Sequence, residues 1–308
     1  MNIVHTAEKV FEETFRRIIR RGAGVEGTIR ASVQAIVEDV AARGDSALLD
    51  YTEKFDQSGL ADGGMEVSGE EWSRAAAEAP RADVEILSLA ARRIEAYHRK
   101  QELKGWVVSD EEGIELGQRV LPLERVGIYA PGGLAAYPST VLMAAIPAKI
   151  AGVAEVLLVS PAKQGRLNPL VAAAAKLGGV NRFFKIGGAQ AIAALAYGTE
   201  TVPRVDKIVG PGNAYVTAAK RIVHGDVAID MIAGPSEVLI IADGTADAAF
   251  VAADLLAQAE HDEVASAVLL TPDETLARQV IAEVREQAAS LPKRSIALRA
   301  LENFGAVV

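Results

Sequence analysis

Gln258 and His261 stand three residues apart near the end of an apolar, alanine-rich stretch. On a helix that spacing puts both side chains on one face. Imidazole is a common metal ligand, and glutamine can offer a carbonyl oxygen. Two donors do not complete a zinc site, so by themselves they read better as a surface or satisfied histidine beside a helix amide. His5, His98 and His224 have no paired ligand at useful spacing. Three glycine-rich turns form a second group: Pro131-Gly132-Gly133, Gly187-Gly188-Ala189-Gln190 and Gly210-Pro211-Gly212-Asn213. Bare backbone at the start of a helix suits an anion, because unpaired N–H groups and the helix dipole both favour negative charge. Tyr129, Gln190 and Asn213 lie in or beside these turns and could orient such a ligand. Glycines also make tight turns for purely structural reasons, but three such turns in consecutive units favour a ligand site. Ser236, in AGPSE, sits in ordinary turn chemistry, and no Ser/His/Asp arrangement can be built around it. The chain has no cysteine, so thiol catalysis, disulfides and cysteine-ligated metals are excluded.

The elements that must position these residues alternate. β-Branched runs at 126–129, 156–160, 182–186, 205–209, 238–242 and 267–270 are followed by Ala-rich helical stretches at about 139–151, 168–177, 189–197, 214–223, 246–260 and 274–288. That rhythm predicts βαβ units and parallel sheet covered by helices. Each glycine turn then falls at the carboxyl end of a strand, where ligands bind in α/β sheets. The first third reads as helical scaffold. Ile29, Val33, Ile36, Val37 and Val40 keep helical spacing, Ser68 with Glu71 forms a capping box, and Pro80 opens a helix reaching about 104.

Gly22 to Gly27 matches G-x-G-x-x-G, with Asp45 at a suggestive distance. The segment before it, FRRIIRR, is a basic amphipathic helix rather than a buried strand, so the motif reads as a helix-to-helix loop. Net charge is −9, half the residues are hydrophobic and basic residues do not cluster. This argues against a nucleic-acid or anionic-membrane partner. No run approaches the roughly 18 apolar residues of a membrane span, and the charged start has no secretory pattern. A helix over 295–304, a cap at Gly305 and an opening strand at 306–308 make the end of the chain look like a truncation.

The segments VGIYAPGG (126–133), YPSTVLM (137–143), IGGAQAIAALAYGT (186–199), VDKIVGPGN (205–213), IDMIAGPSEVL (229–239) and DLLAQAEH (254–261) resemble, in this order and spacing, the histidinol dehydrogenase family. The first 120 residues fit more loosely. The resemblance implies that Tyr129, Gln190 and Asn213 contact NAD, that Ser236 contacts substrate, and that Gln258 and His261 bind both zinc and substrate. It implies a cytoplasmic enzyme of histidine biosynthesis, which oxidises L-histidinol to L-histidine through L-histidinal and reduces two NAD in succession. It further implies two Rossmann-like domains with parallel sheets flanked by helices, plus an N-terminal helical arm, in a domain-swapped homodimer. The expected boundaries are an arm at 1–22, a first α/β domain from 23–125 with 238–308, and a second, NAD-binding, α/β domain at 126–237.

One departure stands out. The family's catalytic Glu-His pair lies in a Pro-Glu-His segment, and this sequence has none. Glu260-His261 is its only Glu-His dipeptide, and it matches the zinc segment. The family's other two zinc ligands, an Asp and a His, have no counterpart either. The resemblance therefore implies half a zinc site, no catalytic residue in these 308 residues, and no turnover by them. A relative that oxidises a different alcohol, such as a sulfonated diol, and a short form that binds dinucleotide without catalysis are the competing readings.

Overall fold

The computed structural model describes residues 1–20, 26–57, 59–60, 64–132, 137–232, 234 and 236–308. The Gly22–Gly27 motif and Gly133 fall wholly or partly outside them. The chain divides into two compact units, residues 28–233 and residues 1–27 with 234–308.

The larger unit holds five parallel strands: β4 (Arg125–Tyr129), β5 (Glu155–Val159), β6 (Arg182–Phe184), β7 (Lys207–Val209) and β8 (Ala228–Ile229). Their spatial order is β6-β5-β4-β7-β8, so the chain winds outward one way from β4 and then returns to wind the other way. That is the Rossmann order, with its switch point between β4 and β7. β4 and β5 are buried on both faces, as parallel strands under two helical layers must be. Leu157, Val159 and Tyr129 pack into one core with α2 (Glu26–Arg43), α3 (Asp45–Asp56), α8 (Gly188–Tyr197) and α9 (Ala214–Val223). Val126, Ile128, Val156 and Leu158 point the other way, into a core with α5 (Arg81–His98), α6 (Pro138–Ile150) and α7 (Pro169–Leu177). The period-two alternation of strand side chains thus feeds two separate cores.

The helices of the first third accordingly pack in this unit. The join is specific. The Arg182 guanidinium makes two bonds of 2.7 Å to the Glu66 carboxylate, and backbone bonds link Val67 N–H to Phe183 O and Lys185 N–H to Met65 O. The segment between α3 and α4 (Gly69–Ala77) therefore extends the sheet edge beside β6. The capping box is present, with Ser68 Oγ accepting from Glu71 N–H, and Pro80 is the N-cap of α5 rather than its first turn. Asp45 does not act as the acid of a dinucleotide fingerprint; its carboxylate accepts from the Thr201 hydroxyl and backbone N–H. An antiparallel hairpin, β2 (Trp106–Ser109) and β3 (Glu115–Gln118), is exposed along both strands.

The smaller unit has a parallel sheet in the order β1-β11-β10-β9, from Asn2–Ile3, Gly305–Val307, Ser266–Leu270 and Glu237–Ile241. At the N-terminus β1 pairs in parallel with β11. Helices α10 (Ala248–Ala259), α11 (Glu274–Ala288) and α12 (Arg294–Phe304) share a core with Val238, Ile240, Ala267, Leu269 and Val307. Phe11, Phe15 and Ile18, from or beside α1 (Lys9–Ile19), line a groove of about 300 Å³ with Val238, Leu239, Val268 and Val308.

Candidate functional site

At the switch point the three glycine turns converge. Tyr129 is the last residue of β4, and its buried phenol oxygen accepts from Gly188 N–H at 3.1 Å. Burial pushes this phenol up to about 12, so it stays protonated. Gly188, with φ of 65°, is the first residue of α8. A Cβ on Gly187 would lie 2.3 Å from Pro161 Cγ, and one on Gly132 would lie 2.6 Å from Pro161 O. The first two turns thus meet across Pro161, at the end of β5. A Cβ on Gly210 would lie 2.1 Å from the Tyr129 carbonyl oxygen, which brings in the third turn.

Gln190 is 1% exposed, and neither its Oε1 nor its Nε2 has a hydrogen-bond partner. Buried amides are nearly always satisfied by protein or by ordered water, so this pair of orphaned atoms leaves room for a water or a ligand group. Asn213 caps α9, its Oδ1 accepting from Tyr215 N–H and Val216 N–H at 3.0 and 3.1 Å. That use consumes its oxygen and leaves its amide N–H₂ to donate outward.

The sequence reading passed over Asp56. Its carboxyl is pushed up by burial, its Oδ2 has no partner, and its charge reaches the Tyr129 phenol. Thr52 Oγ1, one turn earlier on α3, is also buried and unpartnered. The signal was there: Leu48, Thr52 and Asp56 continue one helical stripe at four-residue steps, which carries a carboxylate toward the core.

Ser236, Gln258 and His261 all lie in the smaller unit. Ser236 precedes β9, and its carbonyl accepts from Ser266 N–H. Gln258 is in the last turn of α10, with Nε2 buried and unpartnered. His261 is exposed just past the helix, in a turn closed by its N–H to Gln258 O. Among the described residues no three His, Cys, Asp or Glu side chains gather around one point. The pair supplies two donors where zinc takes four, so these residues fit half of a metal site.

The strand order and the glycine turns at its switch point define the larger unit as a Rossmann-like α/β domain, a class that includes many dehydrogenases. The histidinol dehydrogenase family description matches residues 19–308. The chain is 51% identical to the histidinol dehydrogenase of Syntrophotalea carbinolica and 48% to that of Geobacter sulfurreducens, covering all of itself and 72% of each relative. It superposes on the crystal structure of histidinol dehydrogenase from Elizabethkingia anophelis with a TM-score of 0.83 at 40% identity, covering 67% of that chain. This chain belongs to the histidinol dehydrogenase family, a family of oxidoreductases of histidine biosynthesis.

Proposed function

We propose that the chain carries the NAD-binding half of an L-histidinol-oxidising site and two of its four zinc donors. The observation that carries this reading is the orphaned Gln190 amide, set among three glycine turns at the switch point. Tyr129 O–H, Gln190 and the Asn213 N–H₂ offer donors and acceptors for ribose and carboxamide groups. The helix dipoles at the N-termini of α8 and α9 favour the pyrophosphate, with Gly188, Tyr215 and Val216 N–H already engaged by Tyr129 and Asn213. NAD, when bound, accepts the hydride; zinc, held in part by Gln258 and His261, would grip the substrate's imidazole and amino groups. Ser236 would add a substrate contact. Oxidation of L-histidinol to L-histidine needs a base for the alcohol and an activated water for the aldehyde, since no thiol is available. No Pro-Glu-His segment occurs in the 308 residues, so they bind cofactor without turning over.

The full reading is a cytoplasmic, homodimeric enzyme. No helix among the described residues is long and apolar enough to cross a membrane. The hairpin β2–β3 exposes Trp106, Val107, Val108 and Leu116, an apolar surface that a second copy could cover. The test mixes the chain with L-histidinol, NAD and zinc, and follows both NAD binding by calorimetry and NADH formation by absorbance. Binding without NADH formation is expected. Steady turnover would show that the base and the missing donors lie within these residues; absence of NAD binding would overturn the site.

A further inference from the structure

The turn at the switch point is gripped by two charged side chains outside the residue set above. Gly210 follows β7 with φ of 114°, a backbone state that only glycine adopts readily. Its N–H donates to Asp230 Oδ2 at 2.8 Å, and its carbonyl accepts from Lys220 Nζ at 2.9 Å. Lys220 and Asp230 are themselves paired through Oδ1, which also accepts from Met231 N–H at 2.7 Å. One ion pair therefore holds both polar groups of a single glycine. Asp230 is anchored in turn, since its N–H donates to Ile208 O in β7.

Lys220 is 3% exposed and lies on the apolar stripe of α9, with Val216, Ala219 and Val223 at helical spacing. An ion pair with one buried partner, here Lys220 against a part-exposed Asp230, is often no more stabilising than apolar residues of the same volume. Its presence on a core stripe calls for a reason other than stability, and the geometry supplies one. With its carbonyl turned onto a buried ammonium, Gly210 cannot point that oxygen at a bound anion. The following residues, Pro211, Gly212 and Asn213, are then held at the start of α9, with Asn213 Oδ1 spent on Tyr215 N–H and Val216 N–H and its amide N–H₂ left to donate.

We propose that Lys220 and Asp230 are positioning residues for the dinucleotide, locking the Gly210–Asn213 turn in its anion-binding form. The proposal rests on the NAD reading above and adds to it the pair that sets the turn.

The test compares the parent chain with Asp230→Asn, Lys220→Met and the double variant. Asp230→Asn alone strands a buried ammonium and lowers the melting temperature most. The double variant removes both charges and recovers most of that loss. NAD affinity, measured by calorimetry, nonetheless stays at least tenfold weaker in the double variant. Amide exchange of the 207–213 segment speeds at least tenfold there, while that of β5 is unchanged. A purely structural pair would instead give parental NAD affinity once stability is recovered, and that result, or unchanged exchange at 207–213, overturns the proposal. A parent chain that binds no NAD at all overturns the dinucleotide reading, and with it the ligand named here; normal binding by the double variant overturns the positioning role alone.

Discussion

The two α/β units solve the same packing problem to different degrees. In the larger, β4 and β5 are covered on both faces, and each face has its own core. In the smaller, α10, α11 and α12 cover one face of the sheet, while β9 alternates between half-buried Val238 and Ile240 and exposed Leu239 and Ile241. Leu239 is 60% exposed and Ile241 74%, on the outermost strand of its sheet. Parallel sheet is normally buried on both sides. At its switch point the larger unit holds the orphaned Gln190 amide beside two positive-φ glycines, Gly188 and Gly210. The smaller unit shows its irregularity as uncovered apolar strand. The first pattern is that of a preformed ligand site, and the second is that of a surface made for contact.

The comparison breaks most easily at the switch point. Gly210→Ala puts a methyl against the Tyr129 carbonyl, a backbone atom with no rotamer to yield, at a φ of 114°. The expected loss is roughly 4 kcal/mol in the larger unit. Trp72 and Trp106, the only tryptophans in the chain, both lie in that unit, so urea unfolding followed by tryptophan fluorescence reads it selectively. A loss within error would show that the turn is not rigid. Next, Leu158→Ala opens a cavity in the fully buried strand β5 and should cost about 3 kcal/mol by the same measurement. A cost under about 1 kcal/mol would mean that the doubly covered sheet relaxes more readily than its burial suggests.

Much of this was legible from local pattern. The strand–helix alternation, the Ser68 cap and the glycine turns after β6 and β7 each depend on a few adjacent residues, and each is found where the sequence predicts it. Strand order was not, because nothing local says that β7 pairs with β4 rather than β6. The apolar stripe Val33, Ile36, Val37 and Val40 announces a buried face without naming what buries it. The hairpin β2–β3 was missed because it has no buried side for alternation to mark. Lys220 and Asp56 were not singled out. Both sit on apolar stripes, so a charge at a core position of a helix was the available signal.

Asp56 sharpens the contrast through pH. Its folded carboxyl is raised by burial above its ordinary value, so the proton is held more tightly folded than unfolded. That contribution is complete below the ordinary carboxylate range and is lost as pH rises through the raised value. Above the raised value the chain carries a half-buried carboxylate whose Oδ2 has no partner, and there Asp56→Asn should stabilise the larger unit by about 1 kcal/mol. The gain should shrink toward acid pH. Thermal melts at several pH values read it, and a gain that grows toward acid would contradict the sign. Loss of NAD affinity in the same variant would place Asp56 in the cofactor site.

The smallest effect on stability belongs to the uncovered strand. Ile241→Thr keeps the β-branch that suits a strand and removes apolar surface that is already in water. The folded unit should lose no more than about 0.5 kcal/mol, as judged by amide exchange in β10. Self-association should respond far more, because an exposed apolar edge strand is a template for pairing with another chain. Sedimentation at rising concentration is expected to show less association in Ile241→Thr than in the parent. If Ile241→Thr instead destabilises β10 as much as Leu158→Ala destabilises β5, then β9 is as well supported as the core strands, and the difference between the two units is one of exposure alone.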